Sequence, residues 1–591
     1  MKSILFLLFI TTTLVANQSF YIDQALEKGL DKDSYWLKLL HFENNKSTIK
    51  TKNFFLSSDG YRDAKSELIQ TIEIFESNPN MICKYPARYK WLNRKLQLNI
   101  PNQNCLELEN FLKPNFQKLK VIFTSQRYDS PASVFGHTMM KVESDEIPYA
   151  LNYTAKIAKG TDAVSYIYKG LNGKFKSGYS FVPFSLKDYE YRSGEFRDLI
   201  EFSLNLNSDE LKNMMFHFYE IKDTKEDYYF LSHNCSSELI KLVDMAKYDS
   251  DLSSELKNIV IPIDIVYILQ KHNYIDSITK QKSKLKQFYE VVSKLNLDEK
   301  DILFKIVNNN YSVNRFAKDS NLSKKTKALM VFAGVRYFEI KSVKDGFTKK
   351  SLYPYMKLIN LELKQKKENS FEKVIPLKKN PISNKFHKLY SGIKYNSKSL
   401  TSSIFGYRYL YRNRFDLVDE VKQNGSVELF DIAIREIKGD FSLDHLTLLN
   451  LEAMPISNLF FKESINKIRL GVKRVFLDDD LYIYFNYGVG YRYALNNYFN
   501  YLIYPKVGIY YNQKAIYLAS LESSLEYSYK NRYISEFILE LDRYTNGIEQ
   551  DDFSLNNYIK IAPNVTINLA LKHQKGDIDG DEIKFLVNYF F

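Results

Sequence analysis

From about residue 385 to the C-terminus the chain alternates apolar and mixed residues over runs too long for an ordinary globular sheet. In Leu481-Tyr482-Ile483-Tyr484-Phe485-Asn486-Tyr487-Gly488-Val489-Gly490-Tyr491-Arg492-Tyr493 every odd position is apolar or aromatic, while the even positions include Asn486, Gly488, Gly490 and Arg492. Val565, Ile567, Leu569 and Leu571 alternate in the same way with Thr566, Asn568, Ala570 and Lys572, and Ile583, Phe585, Val587, Tyr589 and Phe591 repeat the pattern. Globular strands usually run to about five or six residues. Segments of about ten, with one apolar face and one mixed face, are the mark of a lipid-facing barrel. A soluble β-sandwich also alternates, but so apolar an outer face would need a partner in water. Residues 381–591 are therefore expected to form an antiparallel β-barrel of about ten to twelve strands, even in number.

The chain has 591 residues, too many for a single hydrophobic core. Its hydrophobic content of 45% excludes a mainly disordered protein. Tyrosine (46) and phenylalanine (41) supply nearly all the aromatic content, against 2 tryptophans, a bias suited to strands and membrane-interface belts. The formal charge is +13. The lysines are spread along the chain, with no zinc-ligand spacing and no recognition-helix pattern, so an anionic membrane surface fits better than nucleic acid. Residues 1–16 read as a secretory signal peptide: Lys2, then the apolar run Ile4 to Ile10, then Ala16 at a plausible cut. The run is well short of the roughly 20 residues of a spanning helix.

Export puts the chain in an oxidising space where close thiols pair. The cysteines are Cys83, Cys105 and Cys235. Cys83 and Cys105 are near in sequence and are expected to form a disulfide. That leaves Cys235 as an odd thiol, either an accident or a reactive group.

Between these landmarks the periodicity changes several times. Residues 17–112 are expected to be a helical N-terminal domain, irregular over 76–110. Residues 113–250 mix strands and helices. Leu119–Thr124, Gly136–Val142, Tyr149–Thr154 and Arg197–Leu204 read as strands, 160–180 as a loop or lid, and Ser208–Ile221 and Ser236–Met245 as helices. Residues 251–380 read as a lysine-rich helical connecting domain. The expected fold class is thus multidomain α+β: an α+β domain flanked by helical segments, then the barrel.

Cys235 stands between Asn234 and a helix. Unpaired N–H groups at a helix start favour an anion and lower a thiol's pKa, and Asn234 can cap the helix. A nucleophilic thiol needs a base. His137 on its strand, after Gly136, is the best candidate. Asn152 on the neighbouring strand would orient the ring, and the Cys235 N–H could serve an oxyanion hole. The bland alternatives are a structural histidine and an inert cysteine. His233 is a rival base, two positions from Cys235 and so expected to point elsewhere.

Three motifs, Ser130-Pro131-Ala132-Ser133-Val134-Phe135-Gly136-His137-Thr138, Leu151-Asn152-Tyr153-Thr154-Ala155 and Phe230-Leu231-Ser232-His233-Asn234-Cys235-Ser236, resemble the Lnb-type N-terminal periplasmic domain family. Cys83-Lys84-Tyr85-Pro86-Ala87-Arg88-Tyr89 resembles the segment preceding that domain in longer Gram-negative members. The family takes its name from a lipoprotein N-acyltransferase. Its His-before-Cys order also resembles circularly permuted papain-like proteins, including lecithin:retinol acyltransferase-like enzymes. The resemblance implies a permuted papain-like domain with Cys235 as nucleophile, His137 as base and, on a weaker match, Asn152 as third member. The C-terminal Phe591 resembles the terminal signal of bacterial outer-membrane barrels.

These readings converge on a periplasm-facing outer-membrane protein of a Gram-negative bacterium. It is expected to use thiol acyltransfer or hydrolysis on an ester or amide. Its expected partners are membrane lipid, lipoproteins or peptidoglycan, with no cofactor and no nucleic acid. A non-catalytic assembly or adhesion protein with an inactive papain-like domain is the alternative. Asp577-Ile578-Asp579-Gly580-Asp581-Glu582 resembles a calcium loop, but its glycine is too early for the EF-hand order, and Asp579-Gly580 reads first as a hairpin turn. No metal site is expected.

Overall fold

A computed structural model describes residues 20–128, 134–158, 160–365, 374–383, 385–397, 399–418, 424–474, 480–577 and 579–591. The expected signal peptide and residues 129–133, which begin the motif that leads to His137, lie outside the described residues. Among the described residues no helix is long and apolar enough to cross a membrane.

The N-terminal region packs short helices around Trp36 and Trp91, which stack at 5.6 Å. The stretch expected to be irregular, 76–110, instead contains the helices Met81–Lys84 and Pro86–Leu96, with Leu106–Leu112 after it. Pro86 opens its helix, where a missing N–H costs nothing. Cys83 and Cys105 form the expected disulfide. Arg88, fully buried, pairs with Glu67 at 2.6 Å and donates to the Phe54 carbonyl at 3.0 Å. The Glu220 carboxylate accepts from the N–H groups of Ala87 and Arg88, so this unit is fastened to the helix Ser208–Ile221 of the next one.

That next unit is built on an eight-stranded antiparallel sheet. Its strands are β1 (Phe116–Thr124), β2 (His137–Ser144), β3 (Tyr149–Lys156), β4 (Phe175–Pro183), β5 (Leu199–Leu204), β6 (Asp227–Tyr228), β7 (Ile275–Gln281) and β8 (Ile375–Leu377). The spatial order is β8-β7-β5-β1-β2-β3-β4-β6. Two expectations are corrected here. Residues 160–180 are not a loop: they hold the helix Ala163–Leu171 and most of β4. Residues 251–380 are not wholly helical, because β7 and β8 extend the sheet beyond β5. The helical reading missed β7 because Ile275-Asp276-Ser277-Ile278 alternates poorly and is only half-buried. The rest of that segment is helical. The long helix Lys324–Asp345 centres a second core with Phe288, Leu303 and Phe316.

Residues 388–590 form a closed barrel of twelve antiparallel strands, from Lys388–Asn396 to Gly580–Phe590. The first strand pairs with the last, Lys388 opposite Phe590. Closure removes every sheet edge, which a membrane requires. The alternation is realised as expected. Ile483, Phe485, Tyr487, Tyr491 and Tyr493 face outward, while Tyr482, Tyr484, Asn486 and Arg492 are buried inside. At the expected hairpin turn the flanking strands pair, Gln574 opposite Gly580. There Asp579 accepts from the Gly576 N–H and Asp577 from the Glu549 N–H.

The lumen is filled at the end that faces the sheet domain. After the strand Ser399–Arg412 the chain turns inward. Arg414 reaches Glu526, Glu536 (2.7 Å) and Glu452 (3.5 Å) on three separate strands. Phe415 stacks on Tyr558 at 4.4 Å, and Asp416 pairs with Arg408 at 2.6 Å. At the same end Phe460 and Phe461 leave the barrel and pack on Phe288 and Tyr337 of the helical core. The sheet domain is therefore seated on the barrel mouth.

Two stability predictions follow. Cys83→Ser should cost roughly 3 kcal/mol by loop-closure entropy, read as a lower unfolding temperature. Arg414→Ala removes the cation shared by Glu452, Glu526 and Glu536, and breaking a buried ion network typically costs about 3–5 kcal/mol. The folded barrel should then unfold in detergent at lower temperature on a gel-shift assay.

Candidate functional site

The site lies where the helix Cys235–Asp244 meets β2. Asn234 sets the start of this helix. Its backbone is extended, and its Oδ1 accepts from the N–H groups of Ser236 (2.9 Å) and Ser237 (3.3 Å). Its Nδ2 donates to the carbonyls of Phe230 (3.1 Å) and Val260 (2.7 Å). The Ser237 hydroxyl accepts from the Asn234 N–H at 2.8 Å, completing a reciprocal cap. Asn234 thus ties two approaching loops to the helix mouth as well as capping it.

The Cys235 thiol is buried, at 1% exposure. It is surrounded by the N–H groups of Thr138, Ser236 and Cys235 and by the Tyr228 hydroxyl. The expected depression of its pKa is corrected. Burial pushes the thiol up, and the N–H groups and Tyr228 offset this only in part, because removing a thiolate from water costs more than these donors return.

His137 begins β2. Its Nε2 lies 2.6 Å from Asn152 Oδ1, so Nε2 carries the proton and Nδ1 is left with a lone pair. The ring stacks on Tyr191, centroids 5.8 Å apart. Burial pushes its pKa down to about 4; the Asn152 bond opposes this, and Arg197 and Lys187 add to it. The imidazole is therefore neutral at pH 7. Among the described residues no hydrogen bond joins the ring to the thiol. The N–H of Thr138, the residue next to His137, acts on the thiol to lower its pKa against the effect of burial.

Gly136 makes the approach possible. Its φ is +85°, and a Cβ there would lie 2.5 Å from Phe123 Cζ and 2.9 Å from the Thr124 carbonyl oxygen. The rival His233 is engaged elsewhere, its Nε2 2.9 Å from Glu43. Sequence reading missed Tyr191, Tyr228 and Arg197. Arg197 donates to the carbonyls of Thr124 and Ser125 and lies 5.2 Å over the Tyr191 ring. Tyr228 could have been suspected, since it shares with Cys235 the segment that leads into the helix. Tyr191 sits in an irregular turn of helix that carries no periodic signal.

Residues 112–272 match the family model of the Lnb N-terminal periplasmic domain. The chain carries an Lnb-type periplasmic domain. Two further stretches match families described as domains of unknown function, DUF7843 at 28–95 and DUF7840 at 386–590. Comparison with curated proteins finds no match. Among solved structures the chain is similar to the KdgM porin in complex with disordered oligogalacturonate. That likeness has 8% identity and a TM-score of 0.24, and it covers 34% of this chain and 99% of the porin. It is similar also to Omp33 of Acinetobacter baumannii, with 11% identity and a TM-score of 0.21 over 35% of this chain and 98% of that one. The barrel assignment rests on strand closure. The Lnb-type domain and the closed, apolar-belted barrel together place the protein in the outer membrane, facing the periplasm.

Two measurements probe this geometry. Gly136→Ala should disrupt β2 and its fit on β1, seen as loss of folded protein. Alkylation of Cys235 should be slow at pH 7 and rise with a midpoint above the ordinary thiol value of about 8.5, because burial raises the thiol pKa; an acidic midpoint would contradict it.

Proposed function

We propose that the Lnb-type domain is a thiol-dependent acyltransferase or hydrolase of the cell envelope, held at the membrane by its barrel. The observation that carries this reading is the 2.6 Å bond between His137 Nε2 and Asn152, made on the strand against which the capped Cys235 helix packs. It fixes the imidazole tautomer with Nδ1 free, and the sulfur is seated against the adjacent Thr138 N–H. Such an orienting amide is what a nucleophile–base pair needs.

In this reading Cys235 Sγ bonds the carbonyl carbon of an ester or amide. The thiol proton passes to His137 Nδ1 and then to the leaving alcohol or amine as its bond to the carbonyl carbon breaks. An incoming amine or water resolves the thioester, and its proton returns through the same ring to the sulfur. The Cys235 N–H serves the developing oxyanion, the Ser236 and Ser237 N–H groups being taken by Asn234. Because thiol and ring are both neutral at rest, the proton moves during attack rather than before it. The barrel, its lumen crossed by Arg414 and Phe415, serves as an anchor beside lipid, lipoprotein or peptidoglycan acyl groups.

One observation favours a second reading, a scaffold with an inactive domain: the thiol is buried with a raised pKa. An activated acyl-ester probe separates the two. Wild-type protein should acquire a thioester at Cys235 by mass spectrometry. Cys235→Ala should abolish it, and His137→Ala should slow it by about 100-fold or more, the usual scale of general-base catalysis. Undiminished labelling in Cys235→Ala, or none in the wild type, would leave the scaffold.

A further inference from the structure

We propose that His41, Glu226 and Glu238 form a binding site for a divalent transition-metal ion, zinc above all, that pins the N-terminal helical unit to the helix of Cys235. The three residues come from distant parts of the chain: the end of the helix Ser34–Leu39, the residue before β6, and the first turn of the Cys235 helix. They are 5%, 2% and 0% exposed. One ligand atom from each lies within 4.8 Å of the others. His41 Nδ1 is 3.3 Å from Glu226 Oε1 and 3.8 Å from Glu238 Oε2. Among the described residues none of these three atoms has a hydrogen-bond partner.

The remaining atoms of each side chain are anchored in ways that aim the free ones. Glu226 Oε2 accepts from Thr48 Oγ1 at 3.2 Å. Glu238 Oε1 accepts from Lys241 at 2.8 Å and from Ser237 at 3.3 Å. His41 Nε2 lies 3.1 Å from His217 Nε2, and both rings are buried. One proton is shared between those two nitrogens. With His41 as its donor, His41 Nδ1 presents a lone pair to two carboxylate oxygens, and three acceptors converge with no donor among them. Buried carboxylates left facing each other in this way are costly. A cation resolves the convergence.

The His41–Glu226 separation of 3.3 Å is already that of zinc ligands, and Glu238, at 3.8 Å from His41, has to close by a few tenths of an ångström. Nitrogen and oxygen ligands at about 2.0–2.1 Å on a tetrahedron lie about 3.3 Å apart. A ligating histidine ordinarily gives its second N–H to a neighbouring acceptor, and His217 is placed for that. His41 also lines an open cleft of about 470 Å³ with Glu43, His233, Ser237 and Lys241, so the cluster is approached from solvent on its His41 side.

The test uses full-length protein purified in detergent from metal-replete cells and assayed by elemental mass spectrometry. About one equivalent of zinc per chain is expected for a site of this kind. Glu226→Gln and Glu238→Gln should lower it at least tenfold. His233→Ala, in the same cleft but outside the cluster, should leave it unchanged. A chelator should lower the unfolding temperature of the wild type by several degrees and added zinc should restore it, with no such response in Glu226→Gln. His41→Cys, which keeps a zinc ligand, should retain metal where His41→Ala loses it, so that misfolding and loss of ligation are told apart. Wild-type protein with no more metal than Glu226→Gln, and no shift on adding zinc, would overturn the site and leave a proton-sharing cluster. The outcome is independent of acylation at Cys235.

Discussion

The arrangement of this molecule depends on the packing of one helix, Cys235–Asp244, against one strand, β2. Asn234 sets where the helix begins by gathering two helix N–H groups and two loop carbonyls on one amide. From that point the helix carries Cys235 to the Thr138 N–H at its mouth and Glu238 to the His41 cluster one turn on. The same short helix thus serves the thiol site, the buried histidine–carboxylate cluster and the hydrophobic core, to which it adds Leu239, Ile240, Leu242 and Val243. A shift of its start would disturb all three.

The barrel relates to this domain through both polar and apolar contacts. Outside, its alternating residues meet lipid. Inside, Arg408 pairs with Asp416 in the loop after its own strand and with Glu428 on the next strand, while Arg414 and Arg492 pair with carboxylates of more distant strands. A buried ion network of this sort is weak evidence for added stability, but it is specific, since each arginine is matched to particular strands. The inward turn of the chain at Arg414 and the outward reach of Phe460 and Phe461 lie at one mouth of the barrel. The periplasmic domain is held over a barrel mouth crossed by Arg414 and Phe415.

The burial of Cys235 and His137 sets the chemical character of the site. Both groups lose more from desolvation than they gain from neighbouring dipoles, so each rests uncharged. The N–H groups at the helix start do lower the thiol's pKa, and the surrounding protein raises it by more. Depth of burial depends on β3, Tyr191 and the loop before Cys235 closing over the sulfur, and no local pattern encodes that.

Much was legible in the residues alone. The period-two alternation of Leu481–Tyr493 determined the barrel, because a pleated strand puts successive side chains on opposite faces and only a lipid boundary rewards so long an apolar face. The adjacency of His137 and Asn152 followed from neighbouring strands, and the capped Cys235 helix from Asn234. The strand β7 was hidden by its poor alternation, and the inward turn at Arg414 by the absence of any periodic signal. Tertiary structure alone brought His41, Glu226 and Glu238 to one point. Their spacing along the chain follows no local repeat, and only the docking of the N-terminal unit, fastened by Arg88 and Glu220, closes the distance.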